Sequence, residues 1–544
     1  MARLCRLACF ILLACTAAVT AQAQQAPAQK SSVTVALSSV DELNRDLEWL
    51  FQLANDPKAF KTLKETLEVF SIGVTPDQPI AAQIKIRNGQ VKTILSVPVN
   101  DPNGFLENIR TLGVKTKRLA PGLYRTSDVT DGYLRLAGGT AVFAEDRADA
   151  VGQIPPPAQL AAFLKSQNFD AGAHLINDPA ELAQRRDDMQ ALEKETLAAI
   201  KQRKGEDDDV FKLRKLAVEQ QLNELQRMYV EAREIMLGWV TSVEQKHGAL
   251  NVTLSALPET SLAQSIALIG QTPSYFAAYK VDTNAPLSGV INFPLDEMRK
   301  EHLANWLKAS RPVAKKEIAE STTIAAGDKE RAQKIADTVY NLLDYSVSQG
   351  VFDGFIDVQP AEGGLYTALG GMKVDGSIVV NGLKEIGGEG TQIAFEKQGD
   401  FELHSVQLPS TRLEMQQLFG KETTLYLATS ADAVWYAIGP GALERLRSAP
   451  ESLSKGEAAA STTALAFHIK FSPWLQAIDQ RLTRDKKGDA AARQRALAAF
   501  KPGGDTMDFA LYRENDVVKL QMVVHEGVLR FVGQVMAKFV SENL

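Results

Sequence analysis

Cysteine is nearly absent from this chain, and where it occurs decides what the protein can be. Cys5, Cys9 and Cys15 are its only cysteines. Everything after them therefore lacks a disulfide, a thiolate nucleophile and a cysteine-held metal. Histidine is sparse as well. His174, His247, His302, His404, His468 and His525 are scattered, no two lie three or four apart on one helix, and no His-Glu-x-x-His run occurs, which excludes a zinc site local in sequence. The chain also has no Gly-x-Ser-x-Gly elbow, no Gly-x-Gly-x-x-Gly opening a helix and no P-loop, so the common nucleophile and phosphate-binding motifs are missing. Charge of one sign is not concentrated: 60 Lys and Arg against 66 Asp and Glu are mixed along the length, which leaves no basic face for nucleic acid. Beyond the N-terminus, no apolar run approaches the roughly 20 residues of a membrane span.

What is present begins with an address. Arg3 and Arg6 precede the apolar stretch Leu7 to Val19, and Ala21-Gln22-Ala23 supplies the small-x-small pattern of a signal-peptidase site. Residues 1–23 thus read as a signal peptide cut between Ala23 and Gln24. Residues 24–32, rich in Gln, Ala and Ser, read as a disordered leader. The expected location is periplasmic or secreted. Leu12-Leu13-Ala14-Cys15 offers a competing lipobox, in which Cys15 would be acylated and become the first residue.

A length of 544 residues is too great for one core, and the chain repeats itself. Val33 to Leu50 reads as a strand followed by a helix, and so does Leu287 to Leu307; Val40-Asp41-Glu42-Leu43 matches Leu295-Asp296-Glu297-Met298, and Trp49-Leu50 matches Trp306-Leu307. Ile80 to Ile109, with an Asn88-Gly89 hairpin turn, matches Val351 to Ile386. Asp131 to Ile154 matches Thr423 to Leu446. Gly172 to Leu182 matches Ala466 to Ile478, which sets His174 beside His468. The hairpin and helix at His247 to Ile269 match Thr506 to Val540. The expected fold class is α+β: antiparallel sheets with helices packed on one face, internally duplicated into domains 31–270 and 271–544.

One stretch breaks the symmetry. Residues 178–238 read as a long helical hairpin inserted in the first domain, its tip carrying Gly205 and the acidic run Glu206 to Asp209. The tip lacks the alternating acids of a calcium loop, so the acids read as helix caps. The hairpin either packs on its own sheet or projects as an arm towards another envelope protein. Trp49, Trp306 and Trp474 each fall on the first helix of a unit and read as seals between helix and sheet, with sugar stacking as the other option. Asp and Glu pairs on helix faces are numerous, and none stands apart from solvated charge.

The signal Met1 to Ala23, the cysteine-free chain that follows, and the Asn-Asp-Pro runs at Asn100-Asp101-Pro102 and Asn177-Asp178-Pro179 together resemble large export-signal proteins of planctomycete-type bacteria. That group has no assigned activity, so the resemblance transfers no functional residue. The expectation is an exported, non-enzymatic cell-envelope protein, a repeat-built binding or scaffold module needing no cofactor or metal, with no assignable catalytic residues. A secreted hydrolase with an unrecognised active site is the alternative. Intact-mass measurement of the exported protein should give a chain beginning at Gln24 without acyl groups. A Cys15→Ser variant should mature normally, and a block in its processing would identify Cys15 as the lipidated residue.

Overall fold

The structure, a computed structural model, describes residues 32–544 except 88–89, 130, 323, 325, 389, 409–412, 421–423, 454–460 and 476–486. The signal, the leader up to Ser31, Cys15, Ala23, Gln24 and the Asn88-Gly89 turn lie outside the described residues, while Ser32, the leader's last residue, already belongs to the first strand. The first half runs β1 (Ser32–Leu37), α1 (Val40–Leu53), α2 (Pro57–Phe70), β2 (Ile80–Arg87), β3 (Gln90–Pro98), α3 (Pro102–Thr111), β4 (Lys115–Ala120), β5 (Leu123–Ser127), β6 (Gly132–Ala137), β7 (Thr140–Ala144), α4 (Arg147–Val151), α5 (Pro157–Leu160) and α6 (Ala162–Gln167). It continues through β8 (Ala171–Ile176), α7 (Leu182–Ala199), α8 (Asp208–Glu231), β9 (Ala232–Ser242), β10 (His247–Ala256) and α9 (Ser261–Leu268).

The second half runs β11 (Leu287–Pro294), α10 (Glu297–Glu320), α11 (Lys329–Gln349), β12 (Val351–Pro360), β13 (Tyr366–Met372), α12 (Gly376–Ile386), β14 (Thr391–Gln398), β15 (Phe401–Gln407), α13 (Leu413–Phe419), β16 (Thr424–Thr429) and β17 (Val434–Ile438). Then come α14 (Ala442–Leu453), β18 (Thr463–Lys470), α15 (Lys487–Phe500), β19 (Thr506–Glu514), β20 (Val517–His525) and α16 (Glu526–Asn543).

Local chemistry sets the helix starts. Ser39 caps α1 by accepting from Glu42 N at 2.9 Å, Asp101 caps α3 through Asn103 N and Gly104 N, and Asp296 caps α10 through Arg299 N at 2.9 Å. Each side-chain oxygen satisfies a backbone N–H that the first turn would otherwise leave orphaned.

All the strands join one antiparallel sheet. From the outer edge inward, the first half is ordered β4-β5-β6-β7-β3-β2-β1-β8-β9-β10. The second half is ordered β14-β15-β16-β17-β13-β12-β11-β18-β19-β20. Position for position, the two orders are the same. They meet where β10 pairs with β20, from His247 opposite His525 to Ser255 opposite Val517. Two separate sheets, as expected for domains 31–270 and 271–544, are therefore not formed: the backbone hydrogen bonds of two edge strands are satisfied by each other, which removes an exposed edge from both halves.

Alternation along the strands makes one face strongly apolar. Val33, Leu175, Ile235, Leu254, Val518 and Leu511 pack under α9, while Trp239, Val524 and Met507 pack under α1 and α16. The opposite face is not bare, which corrects the expectation of helices on one face only. Ala36, Ala81 and Met236 are covered by α5 and α6, and Leu369, Trp435 and Ala437 by α14 together with Tyr275, Phe276 and Tyr279. Short helices suffice there because small residues such as Ala36, Ala81 and Ala437 let them sit close to the sheet.

The final helix of each half crosses to the other. α16 packs on α1 and α2 through Phe51, Phe60, Ala537 and Val540, and α9 reaches α10, where Arg299 donates to Ser265 Oγ at 2.9 Å. Gly533 is what allows the first of these crossings to be tight: a Cβ there would lie 2.4 Å from the Leu50 carbonyl oxygen.

The inserted helices also depart from expectation. Helix ends at Glu231, not Gly238, because Ile235, Met236 and Leu237 are all buried in a strand covered on both faces, and such a run shows no alternation to distinguish it from helix. The pair meets its own sheet at the C-terminal end of α8, where Tyr229 packs with Leu175 and Ile235. α8 lies antiparallel along α10, with Lys316 meeting Asp207 at one end and Arg227 meeting Asp296 at 2.8 Å at the other. Asp207 does cap α8, but α7 ends at Ala199, six residues before Gly205.

Gly533→Val should force α16 away from α1 and lower stability by about 2 kcal/mol, the usual cost of overpacking. Urea unfolding followed by circular dichroism checks it, and the transition should stay single because one sheet spans both halves.

Candidate ligand-binding cavity

A cavity of about 360 Å³ opens between α1, α16 and the apolar face of the sheet. Its walls come from both halves: Leu43, Leu47, Trp49 and Leu50 from α1, Ala171 and Trp239 from β8 and β9, Met522 and Val524 from β20, and Val528, Leu529 and Val532 from α16. Amphipathic spacing on α1 puts its leucines on this side, and the crossing of α16 supplies the roof.

Polar groups gather at one place on this wall. Asp46 and Asp170 line the cavity with Thr241. Carboxylate oxygens of Glu42, Asp46 and Asp170 all lie within 4.8 Å of one another. Thr241 N donates to Asp170 Oδ2 at 2.5 Å, and Trp239 Nε1 donates to Thr241 Oγ1 at 3.0 Å. Burial, followed by the nearby charges of Asp170 and Glu42, pushes the Asp46 carboxyl up to about 7. Burial also raises Asp170, opposed by the Thr241 backbone N–H. Arg45 pairs with Glu42 but is itself exposed.

The corresponding region of the second half is chemically different. Where Asn44 stands on α1, α10 carries Arg299, which donates to Glu224 at 2.8 Å and faces Asp296 at 3.6 Å. Buried Arg227 bridges Asp296 at 2.8 Å and Glu224 at 3.0 Å. The acids there are neutralised from within the chain, and the ground beside them is filled by Leu262 and Ile266 of α9 and by Ile269 just after it.

The residues singled out in the sequence fall elsewhere, apart from Trp49. His174 pairs with Glu234 at 2.9 Å, and His468 pairs with Asp508 at 2.7 Å. Each histidine lies opposite the first strand of its half, at Thr34 and Ser288. His525 reaches the other Asp508 oxygen at 2.8 Å. His404, fully buried, accepts from Ala394 N and meets Thr429 Oγ1. Trp49 is buried and lines the cavity, Trp474 donates to Pro286 O at 3.4 Å, and Trp306 is 37% exposed, so it seals nothing; Leu307 takes that role. The acidic group was missed because Asp170 is distant in sequence, although the four-residue spacing of Glu42 and Asp46 already placed two carboxylates on one helix face.

Comparison with protein-family models, with curated proteins and with solved structures gives no match to this chain.

Asp46 carries a proton in the folded state up to about pH 7, whereas an unfolded aspartate loses it near 4. The folded state therefore binds more protons, and its stability falls as pH rises between those values before levelling off. Asp46→Asn removes this dependence. At about pH 8 the variant should be more stable than the parent by about 1 kcal/mol, a figure discounted for the solvent screening of a half-buried group. The difference should shrink towards pH 4, as urea titrations at several pH values would measure.

Proposed function

We propose that this is an exported, non-enzymatic binding module of the cell envelope, built by internal duplication, whose ligand occupies the cavity under α16. Duplication is supported by the identical strand order of the two halves and by the sequence correspondences that follow the same order. Export is supported by the N-terminal signal pattern ending at Ala23. Among the described residues no helix is long and apolar enough to cross a membrane, so the signal and Cys15 remain the features on which attachment would turn. An envelope protein reached through the helical pair would meet α7, because α8 is occupied along its length by α10.

The observation that carries the binding reading is the cavity itself: an apolar hollow with a few convergent polar groups, at the join between two pseudo-equivalent halves, one of which has filled the matching space. The hydrolase reading has one feature in its favour, Asp508 and His468 hydrogen-bonded with Ser288 directly opposite on the ladder. Ser288 is 0% exposed, and its hydroxyl accepts from Asp282 N at 2.8 Å and meets Tyr279 Oη at 2.6 Å. A hydroxyl held in that way, away from solvent, is not available to attack a substrate.

Titrating the protein with 1-octanol should change the fluorescence of Trp49 and Trp239 saturably, and Val532→Trp, which fills the cavity mouth, should abolish heat of binding in calorimetry. Absence of saturable binding to the parent protein would end the cavity reading.

A further inference from the structure

The cavity has a chemical bias that its volume alone does not reveal. Two carboxylates, Asp46 and Asp170, stand on its wall, Glu42 lies within 4.8 Å of both, and the cation beside them, Arg45, is turned to solvent and engaged by Glu42. The other half shows what this arrangement lacks. There, beside α10, the carboxylates of Asp296 and of Glu224 from α8 are met by two guanidinium groups, those of Arg299 and of Arg227 from α8. The α1 position that corresponds to Arg299 is Asn44, an uncharged residue that lies outside the cavity lining. Carboxylates held beside apolar walls, with their neighbouring arginine out in solvent, are costly, and a cation delivered by a ligand would relieve that cost.

We infer that the cavity takes a cationic amphiphile, with its single apolar chain against Leu47, Trp49 and Trp239 and a primary ammonium head between Asp46 and Asp170. This rests on the binding reading above and deepens it by assigning the ligand's head group. An ammonium has three donors to distribute over the Asp46 and Asp170 oxygens, and charge-assisted hydrogen bonds of this kind are about twice as strong as neutral ones. The walls supply the remainder of the selectivity: they are apolar, so a small hydrated cation gains nothing from them, whereas an alkyl chain is removed from water. A carboxylate head on the same chain would meet like charge from Glu42, Asp46 and Asp170.

The test compares octylamine, 1-octanol and octanoate, three ligands with one chain length, by calorimetry on the full protein at about pH 8. Octylamine should bind about tenfold more tightly than 1-octanol, and octanoate more weakly than either. The double variant Asp46→Asn, Asp170→Asn should lose that preference while still binding 1-octanol, which shows the cavity intact. Lowering the pH to about 5.5 should narrow the preference in the parent protein and leave the double variant unchanged. Equal binding of octylamine and 1-octanol would overturn the head-group assignment while leaving the apolar cavity standing. Binding of calcium alone, with no effect of octylamine, would overturn it in favour of a metal cluster. Binding of none of the three amphiphiles would overturn both the assignment and the reading beneath it.

Discussion

The antiparallel ladder between β10 and β20 is the constraint on which the rest of the molecule depends. Each strand is the last of its half, and each is followed by a helix that must turn back over the apolar face. Because the two strands run side by side in opposite directions, each returning helix emerges over the territory of the other half. α16 therefore lands on α1 and α2, and α9 lands beside α10. The halves are joined through the sheet, through two exchanged helices and through the packing of α8 along α10. Neither could keep its apolar face covered alone, because each would lose a helix supplied by its partner. The same geometry creates the cavity, whose walls are shared between the two halves.

Equivalence of the halves makes their differences informative. The space beside α10 is closed by two helices of the first half, α9 and α8, the latter bringing Arg227 and Glu224 into an ion network with Arg299 and Asp296. Burying Arg227 at 5% exposure is tolerable only because two carboxylates meet it in good geometry. The first half keeps acids in the corresponding region and provides no buried arginine for them. A filled site braced by charge pairs holds neighbouring helices together, whereas an open one lined by acids would favour positive charge. The two halves thus differ in how this space is filled without a change in strand order.

Much of the architecture could be read from residues alone, and the failures share one cause. Caps at Ser39, Asp101 and Asp296 and the order of corresponding segments were local signals, so α+β and the pairing of segments between halves were legible. β9 was missed because Ile235-Met236-Leu237 is buried on both faces and carries no period of two. The hairpins β4–β5 and β14–β15 were missed for the opposite reason: Thr116, Lys117 and Arg118 or Glu396 and Lys397 give little apolar contrast to read. The single sheet was invisible because β10 and β20 are some 270 residues apart in sequence, as Asn251 and Gln521 show, and nothing local records which edge meets which. The cavity failed to show for the same reason, since Asp46, Asp170, Trp239 and Val524 meet only after the join is made.

Burial also decides what the polar groups near the centre of the sheet are for. Asp357, Ser288, His468 and Asp508 stand directly opposite one another on four successive strands, β12, β11, β18 and β19. Arg445 donates to Asp357 at 2.6 Å, Tyr279 links Ser288 and Asp357, and Asp508 receives both His468 and His525. Slipping any one of these strands by a single residue would turn its polar group onto the apolar face and leave its neighbours unpaired. Such a ladder raises the cost of wrong registers more than it adds to the stability of the right one. That is the need of a sheet this wide, in which every strand is a potential partner for every other and hydrophobic alternation alone is nearly the same throughout. Reading Ser288, His468 and Asp508 as register-fixing groups therefore accounts for all their partners, whereas reading them as a nucleophile, base and orienting acid leaves the Tyr279 and Asp282 contacts to Ser288 without a purpose.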